Sequence, residues 1–305
     1  MNTINIKGCA LKAGMLTFVS LLLVQDSLAQ QVPIRCETTA AGVAFLKCYA
    51  ENQEMNLLID SGASHNVICS SVVQLISDET PTSIIGSETV KSIKTLPIQS
   101  GQFRDNSDAP LLVMNLAQLS STCRIQIHGI LGIPFLADKA ILIQDSVLYL
   151  AEGNLIPQPD ETIVPCQSDS FGRLFVDLGE ISSNLGGLDR VLIDTGRNEP
   201  LCLNRQDFAQ LSQRRASILD TRTEDRLQVQ VGSLTLTKVL SGHTLFRTLK
   251  EHSMTRVRTE VSSENKVGLP LLSDIHGRID FKSKRLLFRT PVRFIAAQVD
   301  DSPMR

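Results

Sequence analysis

Apolar and polar positions in this chain alternate over short stretches far more often than they recur at helical spacing, which predicts a mainly β protein. Residues 43 to 49 and 56 to 60 read as neighbouring strands, and Leu227-Gln228-Val229-Gln230-Val231-Gly232 alternates as a half-solvated strand does. Helical signals are few: residues 70 to 76 and 204 to 211, one short segment in each half of the chain. The one long apolar run lies at the start. Lys7 and Lys12 precede an apolar stretch from Ala13 to Val24, and Ser27-Leu28-Ala29 follows it, the three regions of a secretory signal peptide. At 12 residues the run is too short to span a bilayer, and no other segment approaches the length that would. Residues 1 to 29 are therefore expected to be removed, leaving an exported protein, periplasmic or secreted, with no stable membrane anchor.

Two apolar runs end in the same way. Leu57-Leu58-Ile59-Asp60-Ser61-Gly62 returns 134 residues later as Val191-Leu192-Ile193-Asp194-Thr195-Gly196. Each is followed by a second shared string, Gly132-Ile133-Pro134-Phe135-Leu136 and then Gly268-Leu269-Pro270-Leu271-Leu272. An isolated Asp-Ser/Thr-Gly occurs by accident about once in several chains of this length, and its ordinary meaning is a turn at a strand end. A turn does not explain the matched second string. The repeat extends outward: Val32-Pro33-Ile34-Arg35-Cys36 corresponds to Ile163-Val164-Pro165-Cys166, Cys69 to Cys202, and an aspartate with a closing apolar strand follows each Gly-x-Pro, Asp145 and Asp280. Internal repetition on this scale predicts two units of similar size, residues 30 to 158 and 159 to 293, divided at Pro157-Gln158-Pro159, with a tail over 294 to 305.

Composition removes several alternatives. A formal charge of −2 and a pI near 6.2 provide no basic field for nucleic acid. His65, His128, His243, His252 and His276 are scattered without metal-ligand spacing, and no Cys-x-x-Cys occurs, so neither a metal nor another cofactor is expected. Serine-hydrolase, zincin, dinucleotide and nucleotide motifs are absent from the sequence. His65 and His128 read as polar loop residues. Export into an oxidising compartment favours disulfides, and without Cys9 six cysteines remain. The matched places of Cys36/Cys69 and Cys166/Cys202 make these the most economical pairs, leaving Cys48 with Cys123, among the fifteen connectivities that six cysteines allow.

The residues Leu57 to Ala63, Ile130-Leu131-Gly132, Val191 to Gly196, and Val267-Gly268 with Ile279-Asp280-Phe281 resemble the aspartic peptidases of the pepsin and retropepsin type. The resemblance covers nearly all of the chain after residue 29. It implies a bilobal acid-protease fold, two similar β-barrel-like lobes with an active-site cleft between them, and one catalytic aspartate from each lobe, Asp60 and Asp194. It also implies that Ser61, Gly62 and Ala63, with Thr195, Gly196 and Arg197, form the active-site loops, the hydroxyls of Ser61 and Thr195 bracing one against the other. The implied activity is that of an exported, monomeric endopeptidase acting on a peptide or unfolded protein held in the cleft.

The chemistry of such a pair follows from electrostatics. Two carboxylates at close range cannot both ionise cheaply, so they hold one proton between them. The ionised member takes a proton from a water while the protonated member polarises the scissile carbonyl, with no covalent intermediate. Three departures from the family pattern stand out. Arg197 occupies a place usually held by a small or hydroxylated residue, Lys266 stands where the first half has Ile130 or Leu131, and no tyrosine lies in the presumed first flap, residues 84 to 103. A guanidinium near Asp194 would favour its charged form and disturb the shared proton; turned outward, it would pair with Glu199. The first outcome leads to the alternative function, a catalytically inactive peptide-binding protein on the same fold.

Overall fold

The computed structural model describes residues 32–50, 53–76, 111–182, 185–213 and 254–289. It also describes the strands Thr82–Ile85, Glu88–Ile93, Gln99–Ser100, Phe103–Arg104, Ile218–Asp220, Val229–Val231, Leu234–Leu236 and Ser241–Arg247. The chain divides into two units, Met1–Pro33 and Ile34–Arg305, and all that follows concerns the second. The expected signal peptide and the tail over 294 to 305 lie outside the described residues.

The protein is mainly β. Strands Ala44–Ala50 and Gln53–Ile59 pair antiparallel, close to the two expected, and the helix Ser70–Ile76 falls where the pattern placed it. The second helix, Arg205–Gln213, begins one residue late, and the alternating stretch after Leu227 yields a short strand, Val229–Val231. The presumed flap falls across the hairpins Thr82–Ile85/Glu88–Ile93 and Gln99–Ser100/Phe103–Arg104, described in their backbone only.

Each half of the chain builds its own sheet around the same three-strand arrangement. In the first half, Gln53–Ile59 leads into the Asp60 turn and then into Val67–Cys69; the later strand Gly129–Leu131 inserts between them, parallel to the former and antiparallel to the latter. The second half repeats this with Val191–Asp194, Leu201–Asn204 and the inserted Lys266–Gly268. Because a strand must fit between its two arms, the aspartate turn is wide. The inserted strand ends against the turn's inner side.

A third sheet draws three strands from each half, in the order Ile34–Arg35, Val147–Glu152, Lys139–Gln144, Arg278–Asp280, Arg285–Phe288, Thr162–Pro165. Its central pairing joins the halves, Ala140 with Asp280, Ile141 with Ile279 and Leu142 with Arg278. Alternation assigns its two faces. Ile141, Ile143, Leu148, Leu150, Ile279, Leu286 and Phe288 enter one apolar cluster that runs through both halves, while Ala140, Ala151, Leu155 and Leu287 form a small separate one. Among the described residues the three large sheets are open arrays, so the barrel-like closure expected of each half is not found there; strand insertion and the shared sheet bury the apolar faces instead.

Two further expectations are corrected. Asp145 and Asp280 are not equivalent: Asp145 sits in an exposed turn at positive φ, whereas Asp280 is fully buried. Asp280 accepts from the backbone N–H groups of Asn154 (3.2 Å), Leu155 (2.9 Å) and Ser283 (3.1 Å), the Ser283 hydroxyl (2.6 Å) and Arg285 (3.0 Å), tying the segment between the halves to the shared sheet. Burial works to raise its pKa, but the bonds from Ser283 and Arg285 outweigh that and hold it below the usual carboxylate value.

The disulfides are absent as well: Cys36, Cys48, Cys69, Cys123, Cys166 and Cys202 are all free thiols. Three of them bond within their own surroundings. Cys48 Sγ donates to the Met55 carbonyl, Cys166 Sγ approaches that of Val164 at 3.9 Å, and Cys69 accepts from the Ser71 hydroxyl at 3.2 Å. Burial pushes Cys36, Cys48 and Cys166 up to about 12. At Cys69 burial also raises the value, but the hydrogen bonds of Ser71 outweigh it and the thiol ends below its ordinary pKa.

Two outcomes follow. Mass analysis of the unreduced, denatured protein after alkylation finds all six of these cysteines modified, and in the native state Cys69 reacts first; a mass lower by two hydrogens per bridge would contradict it. Asp280→Ala leaves the backbone N–H groups of Asn154, Leu155 and Ser283 without their acceptor and costs about 3 kcal/mol or more in a urea denaturation at neutral pH. The Asp280 contribution is present above the ordinary carboxylate pKa and is lost as pH falls through the depressed folded value, so the gap between wild type and variant narrows in acid.

Candidate functional site

The two aspartate turns meet face to face. Ser61 and Thr195 are fully buried where they touch, and their four hydrogen bonds are reciprocal. The Ser61 N–H donates to Thr195 Oγ1 (3.1 Å) and the Thr195 N–H to Ser61 Oγ (2.9 Å). The Ser61 hydroxyl then donates across to the Ile193 carbonyl (2.7 Å), and that of Thr195 to the Ile59 carbonyl (3.3 Å). Each hydroxyl thus satisfies a donor and an acceptor that the opposite turn cannot satisfy by itself.

Within each turn the geometry repeats. The Gly62 N–H donates to Asp60 Oδ1 (2.8 Å) and the Gly196 N–H to Asp194 Oδ1 (3.1 Å), fixing both carboxylates. A Cβ on Gly62 would lie 2.7 Å from the Asp194 carboxyl carbon, and one on Gly196 2.6 Å from that of Asp60. Neither glycine has positive φ. The tight turn anticipated from their sequence position is therefore a matter of room: each glycine lets the opposite carboxylate approach.

The repeated Gly-x-Pro strings support these turns from within. The Asp60 N–H donates to the Leu131 carbonyl (3.0 Å) and the Ile133 N–H to that of Ala63 (2.9 Å). The Leu269 N–H likewise donates to the Arg197 carbonyl (3.0 Å). A side chain at Gly132 would collide with the Ala63 and His65 carbonyls, and one at Gly268 with those of Arg197 and Glu199. Pro134 and Pro270 follow in the first turn of a short helix, where a missing N–H costs nothing.

Electrostatically the two aspartates differ. Asp194 is 4% exposed and Asp60 is partly buried. Burial first, and then the charge of Asp194, push Asp60 from its ordinary 3.8 up to about 7. Asp194 has a cation in contact: Lys266 Nζ lies 3.0 Å from its Oδ2, with the lysine side chain 21% exposed. The register explains the contact. Lys266 is paired with Leu192, two residues before Asp194 and on the same face of the strand, as Ile130 is paired with Leu58 before Asp60.

A polar network anchors that lysine's strand. Asn265 Oδ1 accepts from the Asn204 N–H (2.7 Å), its Nδ2 donates to Asp207 Oδ2 (2.5 Å), and its carbonyl accepts from Leu192 (2.9 Å). Nothing in the spacing of Asn204, Asp207 and Asn265 marks them in advance, because they meet only when the strand inserts.

Arg197 takes the outward course. Its guanidinium is 40% exposed and lies 3.7 Å from Glu199, while its backbone N–H donates to the Asp194 carbonyl (3.2 Å). Ala63 occupies the corresponding place in the first turn, its N–H donating to the Asp60 carbonyl (3.2 Å). His65 bonds the Ser64 hydroxyl (2.8 Å) and its ring lies 5.8 Å from that of Phe171. His128 precedes its strand and is a latch, Nδ1 accepting from the Asn56 N–H (2.9 Å), with burial lowering its pKa. Among the described residues no group of three or more His, Cys, Asp and Glu side chains is arranged to hold a metal.

The raised value at Asp60 has a measurable consequence. A carboxyl whose folded pKa exceeds its unfolded one contributes stability that is complete below the unfolded value and lost as pH rises through the folded one. For Asp60 that window runs from about 4 to about 7, with at most on the order of 4 kcal/mol at stake. Asp60→Asn escapes this loss. Its melting temperature relative to wild type therefore rises between pH 5 and pH 8 in parallel calorimetric scans, and an unchanged difference would show that Asp60 titrates normally.

The chain matches no protein-family model, and no curated protein matches it in sequence, so the reading of this site rests on its own geometry.

Proposed function

We propose that the chain is an aspartic endopeptidase of bilobal acid-protease fold, one lobe per half, with the substrate peptide extended in the cleft above Asp60 and Asp194. The observation that carries this reading is the reciprocal approach of the two turns: each glycine makes room for the opposite carboxylate, and the pair is braced by buried hydroxyls. A merely structural turn has no use for two acidic side chains brought together in a buried place, where like charges cost most. A shared proton makes the arrangement tenable and reactive. A water between the carboxylates loses a proton to the ionised member as its oxygen bonds to the scissile carbonyl carbon, while the protonated member gives its proton to the carbonyl oxygen. Collapse of the resulting gem-diol breaks the C–N bond: the carboxyl that took the water's proton passes it to the leaving amine, and the other regains a proton from a gem-diol hydroxyl.

The proposal extends to export through residues 1 to 29 and to a monomeric protein free of cofactors, with no membrane anchor once the signal is removed.

One observation favours a second reading. The ion pair between Lys266 and Asp194 offsets one of the two charges on the cleft floor, and a floor so neutralised suits a protein that binds an extended peptide without cutting it.

Activity decides between them. An unfolded protein substrate is hydrolysed by the purified protein between about pH 3 and 7, with the rate falling as pH rises through the Asp60 value of about 7. Asp60→Asn and Asp194→Asn each abolish turnover, and a statine-type transition-state mimic inhibits the wild type. Cleavage surviving both substitutions would sink the paired-carboxylate mechanism, and binding of the mimic without cleavage at any pH would select the peptide-binding protein.

A further inference from the structure

We propose that Lys266 is a positioning residue that decides which aspartate carries the shared proton: its ammonium holds the pair's negative charge on Asp194 and leaves the proton on Asp60. This rests on the peptidase reading for its catalytic meaning, and on the geometry of the pair for its physical one. It makes Asp194 the base toward the water and Asp60 the acid toward the scissile carbonyl. In a pair built by an internal repeat, this one contact breaks the symmetry directly.

The matching position in the first half is Ile130, so Asp60 has an apolar neighbour where Asp194 has a cation. Lys266 Nζ touches Asp194 Oδ2 at 3.0 Å and lies 3.9 Å from Glu264, a longer and more exposed contact that leaves Asp194 its principal partner. The other charged and titratable groups around this corner point away from Asp194 or act at longer range. Arg197 is engaged with Glu199, Arg173 with Asp169 and, at 3.9 Å, with Glu264. Cys202 faces Lys266 across the neighbouring strand, with Glu260 beyond it, and burial pushes this thiol up to about 11, so it is neutral wherever the pair titrates. Asp60 itself faces Asp194 from the opposite turn.

Placing the cation at one end of the pair has an asymmetric effect on its titration. The singly ionised form is stabilised most, because its charge sits against the ammonium, so the pair's first proton leaves at lower pH than it would beside an isoleucine. Loss of the second proton, from Asp60, feels Lys266 across a greater distance and moves less. The working window thus widens on its acid side.

The test replaces the lysine with its counterpart from the first half. In Lys266→Ile the acid limb of the kcat/KM profile moves up by about one pH unit or more, while the upper limb moves by less. Lys266→Arg keeps the wild-type limb, and Lys266→Met repeats the isoleucine result if the branched side chain disturbs packing. A purely structural lysine would lower activity in all three without displacing either limb. Carboxyl-carbon NMR of the protein labelled at aspartate reads the same equilibrium without activity. In wild type the first titration step is concentrated on Asp194; in Lys266→Ile it moves up and spreads over both carbons. An unshifted first step in both neutral variants overturns the proposal even if the enzyme is active. A shifted step in a protein that cleaves nothing upholds it and removes the peptidase reading instead.

Discussion

The hydroxyls of Ser61 and Thr195 are buried away from water, and each has its partners only on the opposite turn. A buried polar group left unpaired costs about 1–3 kcal/mol, and this exchange involves two hydroxyls, two N–H groups and two carbonyls. The halves of the chain are therefore committed to one relative placement at this point. That placement in turn presses Gly62 against Asp194 and Gly196 against Asp60, so the proximity of the carboxylates is a by-product of satisfying backbone hydrogen bonds. The shared sheet, with Ile141 paired to Ile279, holds the same relation some distance away.

Stability and chemistry pull against each other at this junction. The reciprocal bonds and the continuous apolar cluster favour the folded state, whereas bringing two acids into a buried site opposes it. The opposition is softened in two ways. Asp60 keeps its proton up to about 7, and Lys266 supplies a counter-charge to Asp194. Asp280 shows the contrasting solution for a buried carboxylate: three backbone N–H groups, a hydroxyl and a guanidinium converge on it, so it stays charged and ties the segment between the halves to the sheet.

The cysteines illustrate how far symmetry can mislead. Cys36 and Cys166 do occupy matched places, as do Cys69 and Cys202, yet matched places in a repeat need not be neighbours within one copy. Here each thiol is absorbed into its local packing. Asp145 and Asp280 make the same point. Both follow a Gly-x-Pro string, but the first lies in a tight turn and the second at a strand end, and only the second has donors to bury it.

The strand pattern, the Asp-Ser/Thr-Gly repeat and the Gly-x-Pro strings were legible in the sequence because they are local: alternation sets strands, and close backbone approach demands glycine wherever it occurs. Much of the site could be named from them, including Asp60, Ser61, Asp194 and Thr195. The roles of Arg197 and Lys266 could not. Both were visible as charges out of place, and sequence distance made Arg197, three residues from Asp194, the apparent threat. Inserting the strand Lys266–Gly268 beside Val191–Asp194 reversed that order, because strand register carries Lys266 to the carboxylate from 72 residues away while the turn sends the Arg197 side chain outward to Glu199. Which cation meets the acid is decided by register, a property of two paired strands that neither strand's own sequence contains.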